Sequence, residues 1–160
     1  MQIGIISDTH NILPKPVFKY FKNVDHIFHA GDIGSLSILK ELKQIAPVSA
    51  IYGNIDDGSI RNVVPSILFE NFENRVICLV HDIGSVKNFS YELFKTNKNA
   101  DIIIHGHTHR PAYERYQKII FINPGSASYP RTLNTGTIAI AEFDKNNFSY
   151  EFIEIEILNY

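Results

Sequence analysis

Five short apolar runs constrain this chain most, because each of them leads into aspartate, asparagine or histidine. The runs cover residues 2–7, 26–29, 48–52, 75–80 and 102–104. Apolar runs of this length, bounded by glycine and polar residues, are typical of buried strands. In α/β proteins, ligands bind beyond the carboxyl ends of such strands. The polar residues expected there are Asp8, His10, Asp32, Asn54, His81, His107 and His109.

Helical patterns between the first three runs indicate that their strands are parallel. Residues 15–21 and 35–45 are predicted as helices, and strand–helix–strand order favours parallel pairing. Later in the chain a further helix is predicted at residues 89–96, and the other signals are those of hairpins. The hairpin strands are predicted at residues 66–72 with 75–80, 111–116 with 119–122, and 137–143 with 148–157. The sequence therefore predicts an α/β fold with a large antiparallel part, in which two sheets pack together between helices.

Composition and charge exclude several classes of protein. With 160 residues, 44% of them hydrophobic and 20% charged, the chain is expected to form one domain over residues 1–160. A formal net charge of -2 gives no electrostatic basis for binding long nucleic acid or an anionic membrane. Residues 1–6 indicate a strand rather than a signal peptide, and no apolar run approaches the roughly 20 residues that span a bilayer. Cytoplasmic localisation follows as the default, and Cys78 is expected to be buried and inert.

The stretch HGHTH, residues 105–109, indicates a metal site, because three of the seven histidines stand there at alternate positions. Imidazole and hard oxygen donors suit manganese, iron, nickel or zinc. Seven protein ligands are too many for one ion with an open position, but they suit two ions that share a carboxylate. His105 precedes Gly106 on the strand side, so we expect it to be buried beside the ligands rather than to be one.

The same residues, in this order, resemble the motif set of the calcineurin-like metallophosphoesterase superfamily. The matching elements are Asp8-x-His10, Gly31-Asp32, Gly53-Asn54, His81 and Gly106-His107-x-His109. The start MQIGIISDTHN and the segments HGHTHRP and NPGSASYPR are similar to the small prokaryotic phosphodiesterase branch of that family. The resemblance covers nearly the whole chain, and it implies a four-layer sandwich in which two mixed β-sheets lie between helices.

The resemblance also implies a dinuclear site and assigns its ligands. One ion would be bound by Asp8, His10 and His109, and the other by Asn54, His81 and His107. Asp32 would bridge the ions, so that Asp32 and Asn54 would be catalytic as well as metal-binding. Two divalent ions about 3.5–4 Å apart can hold a hydroxide and a phosphoryl oxygen together for in-line attack on phosphorus. We expect two divalent ions per chain, with manganese first and nickel, iron or zinc as alternatives, and a small phosphodiester or a nucleotide as the substrate.

Two arginines and two departures from the family pattern concern the substrate. Arg110 is the first candidate for a catalytic phosphate clamp, because guanidinium binds phosphate bidentately, and Arg131 is the second. Many larger relatives have a general-acid histidine where this chain has Ile55, so good leaving groups or another proton donor would be needed. Asp82 stands where relatives commonly have glycine, and it would crowd the site, act as an outer carboxylate or face solvent.

Other functions and residue roles stay open at this point. One alternative is a binding scaffold, because the retromer subunit of this fold is a protein–protein adaptor, although all seven expected ligands are present here. Another is a nuclease that acts on short nucleic acid. His29 is expected in the core or orienting a ligand, and Asp56 is expected in a turn, with orientation of a ligand as the alternative. A homo-oligomer could pair through the edge of an apolar strand at residues 152–158.

Overall fold

The structure is a computed structural model that describes residues 1–131, 135–144 and 147–157. Within these residues, ten strands form two five-stranded sheets, and helices cover the outer face of each sheet. The predicted α/β fold, a four-layer sandwich with two mixed β-sheets flanked by helices, is confirmed. The apolar strand at 152–158, expected as a pairing edge, ends in Leu158, which lies outside the described residues.

Three parallel strands with helical connections form one half of the first sheet. They are β1 (Gln2–Ile6), β2 (His26–His29) and β3 (Val48–Ala50), connected by α1 (Pro16–Phe21) and α2 (Leu36–Lys43). The parallel pairing expected from strand–helix–strand order is therefore correct. The hairpin of β9 (Gly136–Asp144) and β10 (Asn147–Ile155) joins the free side of β1 in the antiparallel direction.

The second sheet combines two hairpins around one central strand. A short helix, α3 (Gly58–Arg61), precedes it in the chain. The first hairpin contains β4 (Ile67–Phe72) and β5 (Arg75–Val80), and helix α4 (Val86–Lys95) connects it to the central strand β6 (Ile102–Ile104). The second hairpin contains β7 (Pro111–Tyr116) and β8 (Ile119–Pro124). Because β5, β6 and β8 pair in parallel, their carboxyl ends lie at one edge.

Side chains alternate between the two faces of each strand, so the apolar residues form three core layers. In β5, Ile77 and Leu79 face the interior between the sheets, whereas Cys78 faces α4. In β1, Ile3 and Ile5 face that same interior, and Ile6 packs toward the first three helices. Because both faces of these strands are covered, they appear in the sequence as continuous apolar runs rather than alternating ones.

The helices differ from the prediction most clearly at α3 and α4, whereas α1 and α2 lie within one or two residues of their predicted bounds. Helix α3 lies in a stretch that we expected to be a loop, and the Asp57 carboxylate caps it by accepting from the Ser59 N–H at 2.8 Å. Helix α4 begins at Val86 rather than at residue 89, because Ser85 caps it by accepting from the Asn88 N–H at 3.3 Å. Among the described residues, none of the helices has the length and apolar character needed to cross a membrane.

Candidate metal centre

All seven predicted ligands lie on loops that follow the carboxyl ends of parallel strands. Asp8 and His10 follow β1, Asp32 follows β2, and Asn54 follows β3; His81 follows β5, and His107 and His109 follow β6. Five of the seven adopt left-handed backbone conformations, with φ from 43° to 69°: Asp8, His10, Asp32, His107 and His109. Each such residue costs on the order of 1 kcal/mol, and clusters of strained residues are characteristic of functional sites.

The first group of converging atoms belongs to Asp8, His10, Asp32 and His109. Each of these residues contributes one nitrogen or oxygen atom to a set in which all atoms lie within 4.8 Å of one another. His109 Nε2 lies 3.1 Å from Asp8 Oδ1 and 3.2 Å from His10 Nε2. Two imidazole nitrogens and two carboxylates therefore converge here. This set of donors fits a divalent ion.

The second group is centred on the Asn54 side chain. Its Oδ1 atom lies 3.1 Å from His81 Nε2 and 3.0 Å from His107 Nδ1. Asp32 joins this group to the first, since its Oδ2 lies 3.2 Å from His81 Nε2 and 3.9 Å from His10 Nε2. The structure thus brings all seven residues together, with Asp32 between the two groups.

Hydrogen bonds to backbone carbonyls determine which imidazole nitrogens face the centre unprotonated. A carbonyl only accepts, so His81 Nδ1–H donates to Ala30 O at 2.7 Å. The neutral His81 ring then points a lone pair from Nε2 at oxygen lone pairs of Asn54 and Asp32. His109 repeats this arrangement, because its Nδ1–H donates to Tyr129 O at 2.5 Å and its Nε2 faces Asp8. Lone pairs so arranged repel one another unless a cation lies between them, so these residues fit bound metal.

The Asp8 carboxylate and the pKa values of two histidines also indicate that the centre fits a cation. Asp8 Oδ1 is the one buried side-chain nitrogen or oxygen of the described residues with no hydrogen-bond partner. The Asp8 carboxylate raises the pKa of His109. Burial lowers the pKa of His81, but Asp32 and the Ala30 carbonyl raise it by more, so the net shift is upward. A positive charge is therefore stabilised here, whether it arrives as a proton or as a metal cation.

Two buried polar residues tie the ligand loops of the first sheet together. His29 Nδ1 accepts from the Gly31 N–H at 3.2 Å, and its Nε2–H then donates to Thr9 Oγ1 at 3.0 Å. The Asp56 carboxylate accepts from the N–H groups of Ile33, Gly34 and Gly53. Through these contacts, His29 and Asp56 hold the loops that carry Asp8, Asp32 and Asn54. His29 is buried in the core, as expected, while Asp56 has a larger role than that of a turn residue.

Three residues at the end of β8 and directly after it, Asn123, Ser126 and Ser128, support the ligand loops and were not singled out from the sequence. Asn123 is fully buried, and its side-chain amide donates to Gly106 O at 2.8 Å and to Thr108 Oγ1 at 3.0 Å. Ser126 Oγ donates to Asp8 O at 2.7 Å, and Ser128 Oγ donates to Thr9 O at 2.6 Å. The sequence feature that could have indicated these residues is the run NPGSASYPR, which begins at the end of an apolar strand. We used it only as evidence for the family resemblance.

Glycine is required at two positions where ligand loops approach each other. A Cβ on Gly53 would lie 2.1 Å from Asp32 Oδ1, and a Cβ on Gly106 would lie 2.0 Å from Ser7 Oγ and 2.7 Å from Asp8 Oδ2. No side chain can occupy such space without moving the carboxylates. His105, directly before Gly106, is buried, and its Nδ1 contacts the Asn123 amide at 3.3 Å. Burial lowers the pKa of His105 to about 4, so the ring is neutral at pH 7.

Five of the seven predicted ligands line a cleft of about 420 Å³: His10, Asp32, Asn54, His107 and His109. Its other described lining residues are Ile12, Ile55, Tyr129 and Arg131. Arg110 is exposed and is not among the described residues that line the cleft. Asp82 is also exposed, and its Oδ2 lies 3.7 Å from His107 Nε2, so it stands outside the centre beside one ligand.

Comparison with known proteins identifies the class to which this site and fold belong. Residues 1–146 match the family model of the calcineurin-like phosphoesterase superfamily domain. The chain belongs to this superfamily and is a metal-binding phosphoester hydrolase, which confirms the resemblance seen in its motifs. A probable metallophosphoesterase of Methanothermobacter thermautotrophicus is 34% identical over 96% of this chain and 92% of its own. A phosphodiesterase of Methanocaldococcus jannaschii is 31% identical over 92% of this chain and 96% of its own.

A more distant protein shares the architecture. A single mutant of Vps29 from Entamoeba histolytica superimposes with a TM-score of 0.78, over 98% of this chain and 100% of its own. The two sequences are 17% identical, so this likeness concerns the fold alone.

Proposed function

We propose that this hydrolase is a phosphodiesterase of small molecules or nucleotides and that it works with two divalent ions. The observation that carries the proposal is the position of Asp32, whose carboxylate faces His10 on one side and His81 on the other. In this proposal, Asp8, His10 and His109 hold one ion, and Asn54, His81 and His107 hold the other. Asp32 would serve both ions and would be catalytic for that reason, and Asn54 would be catalytic as a ligand of the second ion.

Residues of the chain position the substrate around these ions. The ions, when bound, supply Lewis-acid stabilisation of the phosphoryl oxygens and an activated water as the nucleophile. Arg131 lines the cleft, and we propose that its guanidinium binds a non-bridging phosphoryl oxygen. Arg110, the first candidate from the sequence, is the weaker one, because it is exposed outside the described lining of the cleft.

Manganese is the metal that we propose, since the donors are imidazole nitrogens and hard oxygens without a thiolate. Nickel, iron and zinc suit the same donors, so availability would also affect occupancy. A small substrate is favoured over long nucleic acid, because the net charge of the chain is -2.

Metal stoichiometry and turnover, measured on the same preparation, test the proposal. The protein is stripped with chelator and reloaded with Mn²⁺, and hydrolysis of bis(4-nitrophenyl) phosphate is followed. We expect two ions per chain and measurable turnover. Asp32→Asn should lower kcat by at least about a hundredfold, because it removes a bridging charge. Asp57→Asn is the matched control, since asparagine caps a helix as well as aspartate does.

The opposite result would favour the second candidate, a binding scaffold of the same fold. Folded protein that holds no metal and shows no turnover in excess Mn²⁺, Ni²⁺ or Zn²⁺ contradicts the enzyme proposal. The likeness to Vps29 shows the fold and carries no assignment of a partner.

A further inference from the structure

Three exposed apolar side chains stand around the ionic centre of the cleft. Ile12 is 42% exposed, Ile55 is 47% exposed and Tyr129 is 66% exposed, and all three line the cleft with the ligands. Single exposed apolar residues are ordinary on a protein surface. Three of them around one cleft of carboxylates and imidazoles are unusual, because their apolar surfaces cannot form hydrogen bonds with the water in the cleft. We call Ile12, Ile55 and Tyr129 the apolar rim.

The backbone of the apolar rim is held by the ligand loops themselves. The Ile55 N–H donates to Asp32 Oδ1 at 3.0 Å, and the Ile12 N–H donates to Thr9 O at 2.8 Å. The Tyr129 ring lies 5.8 Å from the His10 ring and 6.1 Å from the His109 ring, measured between centroids. Each rim residue is thus fixed relative to the atoms that would bind the phosphoryl group.

We propose that the apolar rim binds an ester group of the substrate and selects phosphodiesters that carry an aromatic or large apolar one. This inference rests on the proposed function, since the rim meets an ester group only when phosphorus lies at the metal centre. The isoleucine side chains have no donor or acceptor, so they favour apolar surface on the substrate. The Tyr129 ring offers a face on which an aromatic group can stack.

Two substrates with the same leaving group isolate this effect. Phenyl 4-nitrophenyl phosphate and methyl 4-nitrophenyl phosphate both release 4-nitrophenolate, and they differ in the ester group that is retained. The measured quantity is the ratio of kcat/KM for the phenyl ester to that for the methyl ester, with Mn²⁺-loaded protein. We expect this ratio to fall at least about tenfold in the double variant Ile12→Asn, Ile55→Asn, and severalfold in Tyr129→Ser.

Matched controls come from exposed apolar residues elsewhere on the surface. Tyr91 on α4 is 62% exposed and Val63 is 58% exposed, and neither belongs to the described lining of the cleft. Tyr91→Ser and Val63→Asn should leave the ratio unchanged. Metal stoichiometry is measured for each variant, and two ions per chain show that the centre has kept its structure.

The outcomes separate the apolar rim from the underlying function. If both esters are hydrolysed and the rim variants keep the ratio of the unmodified protein, the rim inference is overturned and the phosphodiesterase proposal stands. If the metal-loaded protein hydrolyses neither ester, both fail together.

Discussion

His29 shows at the scale of one residue how a buried histidine supports a metal site without belonging to it. Its ring is fully buried, and both nitrogens are used, one by the Gly31 N–H and one by the Thr9 hydroxyl. Burial lowers its pKa from 6.5 to about 4, so the ring is neutral at pH 7. The neutral His29 imidazole therefore connects the loops after β1 and β2 without adding a charge.

This pKa predicts that acid weakens the fold through His29. Between pH 6.5 and about 4 the unfolded chain binds a proton that the folded chain excludes, so stability falls with pH across that window. The contribution reaches roughly 3 kcal/mol once pH is near 4, and it is absent above pH 7. Urea unfolding of metal-free protein at several pH values should show a shallower decline for His29→Gln. An equal decline in both proteins would mean that His29 is not the group responsible.

Asp82 carries a second prediction at this scale. Its carboxylate lies 3.7 Å from His107 Nε2 and is more than half exposed, so solvent screens the pair. Asp82→Gly should therefore reduce the affinity for Mn²⁺ less than about fivefold, as measured by calorimetric titration. A loss beyond tenfold would show instead that Asp82 orients the His107 ring.

At the scale of elements, the end of β8 supports the loop after β6. Asn123 Nδ2 donates to Gly106 O and Thr108 Oγ1 and contacts His105 Nδ1 at 3.3 Å, and Asn123 Oδ1 accepts from the Gly125 N–H at 2.8 Å. Nearly every hydrogen-bonding position of this buried side chain is used. The conformation of the histidine loop therefore depends on a residue outside it.

Truncation of this side chain should affect folding and metal binding together. Asn123→Ala removes the acceptor of the buried Gly125 N–H and one of the two donors to the Gly106 carbonyl, so we expect a loss of about 2–3 kcal/mol in the free energy of unfolding. Metal affinity should fall as well, because His107 and His109 lose their support. Both are measured on the same preparation, by urea unfolding and by Mn²⁺ titration. Asn62→Ala, at an exposed position, is the control, and a similar effect there would contradict this account.

The elements also show what a sequence alone can predict here. The strand ends and the convergence of the seven predicted ligands were predictable, because buried parallel strands produce continuous apolar runs and their carboxyl ends gather at one edge. Helix α3 was missed because four residues are too few for a periodic pattern, although Asp57 marks its start. Asn123 was missed because its partners, Gly106 and His105, are 17 and 18 residues away. The choice between Arg110 and Arg131 stays a prediction, because the position of Arg110 directly after His109 in the sequence does not determine where its side chain points.

For the whole molecule, the apolar layers and the metal centre are separate sources of stability. The core clusters lie between the sheets and beneath the helices, and they contain none of the seven ligands. The chain should therefore fold without metal. Ligand binding to the folded state alone then adds stability according to concentration, about 2.7 kcal/mol at one hundred times Kd.

Metal removal is thus expected to lower the melting temperature without unfolding the protein. Thermal unfolding in chelator should remain cooperative, and added Mn²⁺ should raise Tm progressively with its concentration. Asp32→Asn should show a much smaller rise, because it lacks the bridging carboxylate. If chelator alone abolished the transition at all temperatures, the metal would be part of the folding core instead.

The residues that form and orient the metal centre come from widely separated parts of the chain, from Asp8 to Tyr129, whose carbonyl orients His109. His109 is therefore oriented only in a chain that includes Tyr129. A fragment that stops before Tyr129 contains all seven predicted ligands in its sequence but lacks the carbonyl that orients one of them. We expect such a fragment to bind Mn²⁺ more weakly than the chain described here.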